Sequence, residues 1–402
     1  LQAQNNIAIC LSNLKKFDDS IKIYNNLITN NPNDYVAYNN LGNVFKEMNN
    51  DENAIKNYTK AIEIKSDYFF SYKNLADIYK KNNHYKESLN LYNLVNKIKP
   101  NYKDIIFNIL DTKMSMCEWS SYKSLIENII QNINFEKSTN PFTVLGVIDN
   151  GEIQNKSAKI YIKKKFNHLK KITANKRQNQ NLKPKIGYFS SDFRDHALLH
   201  LISDVFKNHD KLNFDFYAFS FGPEKKDKWN TKVRKYFKDF FNVSNMSDLD
   251  VSKLSRQTGI DIAVDLNGFT KNSRPGIFFH RSAPIQVNYL GYSGTMGADF
   301  IDYIFADEMT IPKNNQIKFT EKVVYLKNCY QPNMDKREIS DRKFKRSEFE
   351  LPDDAFIFCN FNSNYKITPD IFDLWMNILK KVPNSVFWIA ISNSYALENI
   401  KL

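Results

Sequence analysis

The chain has 402 residues, of which 42% are hydrophobic and 25% charged, and its 57 Lys and Arg against 44 Asp and Glu give a net charge of +13. That composition excludes a disordered chain, and no apolar run approaches the roughly 20 residues a membrane-spanning helix needs, so no membrane association is expected. Cys10, Cys117, Cys329 and Cys359 stand far apart with no CxxC pair, which argues against a disulfide framework or structural zinc and suits a reducing cytoplasmic setting. The lysines are scattered among asparagines rather than gathered into a basic stripe, so nucleic acid is not expected as a partner. Length alone allows two or three domains.

Eight of the eleven glycines lie between 187 and 297, which predicts a helical first part and a turn-rich α/β middle. The first part repeats. At a period of 34, Ala8, Gly42 and Ala76 fall in register, as do Tyr24, Tyr58 and Tyr92, and Leu27, Ala61 and Val95. Small residues recur where two helices must touch and large ones where they wedge apart, while Pro32 and Pro100 close two of the three units. This is the tetratricopeptide pattern, a helical hairpin stacked to bury what one unit cannot. It predicts an α-solenoid over 1–102, able to bind an extended peptide or protein in its groove or to serve as a bare stalk. The period is lost over 103–180 while helical patterning persists, for instance at 121–133 and in the basic stretch 163–171; a turn is expected at 138–141. A polar linker is expected at 172–183. Because Leu1 already lies in a helical pattern, the chain is expected to be truncated at its start.

From Lys185 the periodicity shortens. Strands are predicted at 185–190 (KIGYFS), 214–220, 261–266, 286–290, 303–306 and 322–326, with helices at 198–206 and 251–257 between them. Alternating β and α implies a mainly parallel sheet over 181–345. A second α/β unit is predicted to begin at 346 and to be cut short at 402: a strand at 356–361, a helix at 369–382 and a strand at 386–391. Thr368 is placed to cap that helix, with Pro369 in its first position and Asp370 beside its positive end.

Two α/β lobes suggest a ligand at the carboxyl ends of the strands. Three segments are candidates to line such a site. In Ser190–His196 (SSDFRDH), His196 opens a helix, whose dipole disfavours the imidazolium; the ring is expected to stay neutral and able to accept a proton, with Asp192 orienting it or accepting in its own right. The competing reading makes both residues caps and surface groups. His196 and His200 are spaced as zinc ligands can be, but the Glu of H-E-x-x-H and a third ligand are missing. Leu290–Gly297 (LGYSGTMG) offers unobstructed backbone N–H groups to a polar or anionic ligand, and 267–271 with Arg274 ends another strand on the same side. Asn362–Lys366 (NSNYK) puts Lys366 beside a helix N-terminus, where it either meets a phosphate or is an ordinary solvated lysine.

These segments, with DIAVDLNGFT, RPGIFFHRSAPIQVNYLGYSGTMGADFIDYIFAD and LPDDAFIFCNFNSNYKITPDIFDLWMNILKKVPNSVFW, resemble the bacterial branch of the protein O-linked N-acetylglucosamine transferases from about Tyr102 onward. The resemblance implies a GT-B architecture of two Rossmann-like lobes. It also implies transfer of a sugar from UDP-N-acetylglucosamine to Ser or Thr hydroxyls of a protein held by the repeats, with inversion, no metal and no other cofactor. By resemblance His196 and Asp192 are the active-site groups that assist proton removal, neither being assigned as sole base. Leu290 and Gly291 approach the donor sugar, Lys271 and Arg274 lie near the cleft, and Tyr365 and Lys366 meet the nucleotide, Lys366 neutralising the phosphate. Further nucleotide contacts would fall beyond Leu402, so the chain is expected to be inactive by itself. The alternative is a tetratricopeptide scaffold with a non-catalytic lobe.

Overall fold

The computed structural model describes residues 2–100, 102, 104–137, 139–169, 183–223, 225, 227–335 and 339–401. Ser138 of the expected turn, the linker expected at 172–183 (apart from Lys183) and the domain boundary near 180 lie outside them. The chain divides into two compact units, one of residues 1–132 with 345–402 and the other of residues 133–344. The stretch 103–180, read as one connector, is thus shared between them.

The first unit opens with three helical hairpins: α1 (Gln2–Asn13) with α2 (Phe17–Asn30), α3 (Tyr35–Glu47) with α4 (Asp51–Ile64), and α5 (Phe69–Lys81) with α6 (Tyr85–Ile98). The 34-residue period is visible in the backbone, since Lys15, Asn49 and Asn83, one in each hairpin turn, have φ of 59°, 57° and 64°. Asn tolerates this left-handed region better than most residues. The small register position lies under the tyrosine of the second helix; a Cβ on Gly42 would sit 2.6 Å from the Tyr58 ring. Tyr24, Tyr58 and Tyr92 are fully buried, and the polar ends of the last two are provided for in register. Tyr58 Oη donates to Asn43 Oδ1 and Tyr92 Oη to Asp77 Oδ1, both at 2.8 Å. Asparagines also link successive first helices, Asn40 donating to Asn5 and Asn74 to Asn39 and Asn43.

Helix α7 (Ile105–Ser115) continues the stack, followed by α8 (Tyr122–Asn134). Two further helices, α9 (Pro141–Val147) and α10 (Gly151–Phe166), belong to the second unit. Helix α10 ends at Phe166, earlier than the basic stretch suggested: Asn150 caps its start, while Ala158 and Phe166 enter the core of the sheet, Phe166 stacking on Phe279 at 4.6 Å.

The second unit then alternates: β1 (Lys185–Ser190), α11 (Ala197–Lys207), β2 (Asp215–Ser220), α12 (Lys228–Arg234), β3 (Asp239–Asn242), α13 (Asp248–Thr258), β4 (Ile262–Asp265), α14 (Gly276–Phe279), β5 (Ile285–Asn288), β6 (Tyr303–Ala306) and β7 (Lys322–Tyr325). All seven strands are parallel, in the order β3-β2-β1-β4-β5-β6-β7. Side chains of β1 alternate between two cores, Tyr188 joining Leu199, Ile202 and Phe206 on one face and Phe189 joining Phe219, Ile277 and Phe278 on the other. Strand β3 was not foreseen. It is a four-residue edge strand with an exposed residue at each end, too short and too wet to show a buried-strand pattern.

Residues 345–402 contribute β8 (Phe356–Asn360), α15 (Pro369–Lys381), β9 (Ser385–Ile389) and α16 (Ser394–Lys401), with β8 and β9 paired in parallel. Thr368 Oγ1 caps α15 by accepting the Ile371 N–H, as expected. This segment packs on the end of α7. Cys117, Ile367 and Ala396 are buried together beside Trp119, Phe372 and Trp375. Asn393 and Asn399 donate to the carbonyls of Ser115 and Met116, which the helix end leaves without intrahelical partners.

Candidate functional site

The strand order reverses at β1, which pairs with β2 on one side and β4 on the other. The carboxyl ends of strands at such a switch point form a crevice with outward-facing backbone groups. Ser190, Ser191 and Asp192 leave β1 there, and all three are buried. They are tied to the end of β4 by Asn267, a residue the sequence placed beside the site without a role. Its Oδ1 accepts from Ser190 Oγ (3.1 Å) and Ser191 N–H (2.9 Å). Its Nδ2 donates to Ser191 Oγ (2.9 Å), Asp192 Oδ2 (3.1 Å) and Thr270 Oγ1 (3.1 Å). One amide therefore sets the register of two loops.

Asp192 has its other oxygen 3.0 Å from Arg194 Nη2, a cation the sequence reading passed over. His196 Nε2 stands 4.0 Å from the same Oδ1. The imidazole is half-exposed and caps α11, its Nδ1 accepting the Leu198 N–H at 3.2 Å. A neutral ring whose Nδ1 accepts carries its proton on Nε2. The helix cap thus engages Nδ1, and Nε2 is the ring nitrogen on the Asp192 side. His200 pairs with Asp195 at 2.7 Å, and no group of three or more His, Cys, Asp or Glu among the described residues is arranged to hold a metal.

The glycine-rich segment after β5 closes the same end of the sheet. Leu290 has φ of +69°, a left-handed conformation costing a non-glycine residue on the order of 1 kcal/mol. Gly291 follows so close to the end of β4 that a Cβ there would lie 2.0 Å from the Leu266 carbonyl oxygen. Asn288 Nδ2 donates to the carbonyls of Tyr292 (3.0 Å) and Gly294 (3.4 Å), holding the turn from beneath. Lys271 is exposed and makes no ion pair among the described residues. The Arg274 guanidinium donates to Asp248 Oδ1 at 2.7 Å and to the carbonyls of Val243 and Met246, so it ties these segments together. Tyr365 and Lys366 lie in the other compact unit, in a 3-10 turn (Asn364–Lys366) just before α15; both are exposed.

Beneath this site lies Asp265, 2% exposed, whose Oδ1 accepts the N–H groups of Asn267 (2.9 Å) and Gly268 (3.1 Å). Burial pushes its carboxyl up to about 6, against the pull of those two hydrogen bonds. The folded chain then binds more protons than the unfolded one between the ordinary carboxylate range and about pH 6, so stability falls as pH rises through that window. The full cost above it is up to roughly 3 kcal/mol. Asp265→Asn keeps the accepting oxygen and removes the charge. Its denaturation midpoint is expected above the parent's at pH 7.5, with the difference closing toward pH 4.

A family model described as glycosyl transferase family 41 matches residues 116–342 and 336–400, and tetratricopeptide repeat models match residues 1–34, 35–68 and 71–102. The chain belongs to glycosyl transferase family 41. Among its curated relatives, an Arabidopsis thaliana protein named as a probable UDP-N-acetylglucosamine–peptide N-acetylglucosaminyltransferase, SEC, is 40% identical over 53% of this chain and 22% of its own length. A Caenorhabditis elegans UDP-N-acetylglucosamine–peptide N-acetylglucosaminyltransferase is 25% identical over 51% of this chain and 28% of its own length. A Solanum lycopersicum relative, SPINDLY, is 31% identical over 50% of this chain and 22% of its own length. The matches thus span under a third of each of these relatives. A solved structure of a Thermobaculum terrenum O-GlcNAc transferase mutant superposes with a TM-score of 0.63, covering all of this chain and 71% of that one at 19% identity. At that identity the likeness bears on fold, and it agrees with a tetratricopeptide array joined to Rossmann-like α/β structure in this family 41 chain.

Proposed function

We propose that this family 41 chain is part of an enzyme that moves N-acetylglucosamine from UDP-N-acetylglucosamine to Ser or Thr hydroxyls of proteins, with inversion and without a metal ion. The observation that carries the reading is the switch-point assembly: Asp192, Asn267 and Gly291 drawn together at the ends of β1, β4 and β5 in a chain of this family. In the reaction the acceptor oxygen bonds to the anomeric carbon as its bond to the diphosphate breaks. Positive charge grows on the sugar and negative charge on the leaving group. Without a metal, that negative charge falls to cations such as Lys366 and to helix N-termini. On the protein side, the acceptor proton has Asp192 and His196 as destinations, and the carboxylate is favoured because the accepting nitrogen of His196 caps α11. The relatives' names supply the donor, and the repeat array, whose first helices are linked by asparagine amides, is the part assigned to an extended acceptor.

The test uses the gene product at its full encoded length, labelled UDP-N-acetylglucosamine, a Ser/Thr peptide and excess EDTA. Label is expected on a hydroxyl, with the anomeric configuration inverted. Absence of UDP binding by calorimetry at millimolar nucleotide would overturn the reading in favour of a scaffold.

A further inference from the structure

Glu321 is a buried carboxylate that the reaction above does not use. It directly precedes β7, is 4% exposed, and has no cationic partner among the described residues. Two of its hydrogen bonds reach back into the glycine-rich segment, while the backbone of Thr320 and of Glu321 itself also favours the charged carboxylate. Oε2 accepts from the Thr295 hydroxyl at 2.7 Å and Oε1 from the Met296 N–H at 2.6 Å. The Thr295 hydroxyl itself accepts the N–H groups of Gly297 (3.1 Å) and Thr320 (3.2 Å). Both its lone pairs are thereby occupied, and its single proton has only the carboxylate to go to.

The segment is rigid on either side of this knot. Met296 is fully buried, and Gly297, at φ +59°, lies so close to α10 that a Cβ would be 2.5 Å from the Lys159 nitrogen. On the other side, Tyr292 is buried with its hydroxyl directed to the Pro141 carbonyl, and Gly291 abuts β4. A buried acid stripped of water and given no cation costs several kcal/mol unless hydrogen bonds compensate. Here the Thr295 hydroxyl and the Met296 N–H of the loop are among the donors that compensate, so carboxylate and loop conformation stabilise one another.

We infer that Glu321 is a positioning residue for the donor sugar: by accepting from Thr295 and Met296 it holds the turn that begins at Leu290 and Gly291 in the shape the nucleotide sugar meets. The inference rests on the proposed function for what the turn binds, but not for how the turn is held. Burial raises the Glu321 carboxyl above its usual range, and the Thr295 hydroxyl and Met296 N–H oppose that rise.

Chemistry selects the variants. In Glu321→Gln the NH2 meets a Thr295 oxygen whose lone pairs are filled, which pushes the amide away and weakens its oxygen's hold on the Met296 N–H as well. Thr295→Val removes the hydroxyl from the other side, and Thr295→Ser restores it. Two readouts separate the levels. Amide hydrogen exchange without ligand reports the turn: Met296 and Gly297 are expected to exchange faster in Glu321→Gln and Thr295→Val, and at the parental rate in Thr295→Ser. Michaelis constants of the full-length gene product report the donor: the KM for UDP-N-acetylglucosamine is expected to rise roughly 10–100-fold in the first two variants and to recover in Thr295→Ser. Unchanged exchange would overturn the bracing role. Faster exchange with an unchanged KM would overturn the link to the donor. A parent protein that binds no UDP would instead count against the proposed function, with the exchange result still standing.

Discussion

Replacing Lys366 by Ala is expected to lower sugar transfer by about two to three orders of magnitude while leaving the melting curve in place. The lysine follows the buried Asn364 in a 3-10 turn anchored by Ile367, which is 1% exposed, so the backbone carrying it is fixed although its side chain is exposed. It forms no ion pair among the described residues. Two residues on, Thr368 caps α15, and Asp370 stands in the first turn of that helix. An exposed, unpaired side chain contributes little to stability, within about 0.5 kcal/mol. A cation at a departing diphosphate acts mainly in the transition state, where removing one preorganised electrostatic group costs about 100–1000-fold. The check is kcat of the full-length gene product beside thermal denaturation by circular dichroism. Unchanged turnover would remove Lys366 from the chemistry, and a large fall in melting temperature would show that its role is structural.

The second large effect is expected from Gly291→Ala. Its Cβ would lie 2.0 Å from a backbone oxygen, that of Leu266, which cannot swing aside as a side chain would. Leu266 is itself held, its N–H bonded to the Phe189 carbonyl of β1 at 3.0 Å. Either the turn or the end of β4 must move, and the overpacking cost is about 1–3 kcal/mol. Because Leu290 already holds a left-handed conformation, release of the turn also frees that residue to relax. The variant is expected to lose nucleotide affinity together with stability. Gly146→Ala is the internal control: it lies in helix α9 with nothing within 4 Å of its Cβ, and is expected to be neutral or to stabilise by up to about 1 kcal/mol. Denaturant midpoints and UDP titration of the two variants separate a backbone clash from a general intolerance of alanine.

The repeat array was legible because its period is local: every 34 residues the same small and large side chains return, and even the left-handed turn residues keep the count. Most strands were legible because their apolar runs are bounded by turns. Strand β3 was not, since an edge strand carries little burial. Among site residues, Asp192 and His196 stood out by type and by their place after a strand, but their connections did not. Asn267 reaches Ser190, Ser191 and Asp192 across 75–77 positions of sequence, and Glu321 reaches Thr295 across 26. Nothing local marks such partners. Arg274 has the same kind of hidden partner: a cation beside a glycine-rich strand end suggests an anion site, and only the tertiary structure brings Asp248 and two carbonyls to it.

The carbonyls of Ser115 and Met116 receive their side-chain donors, Asn393 and Asn399, from 278 and 283 residues further along the chain. During synthesis on the ribosome those helix-end carbonyls emerge long before their partners and must stay hydrated in the meantime. Residues 133–344, by contrast, form one uninterrupted stretch that can close as soon as it is made. Loop-closure entropy grows only logarithmically with length, so the long wait adds little to the thermodynamic cost, but it imposes an order of events. The inserted unit is able to mature before the returning segment, made after it, seals the end of the array.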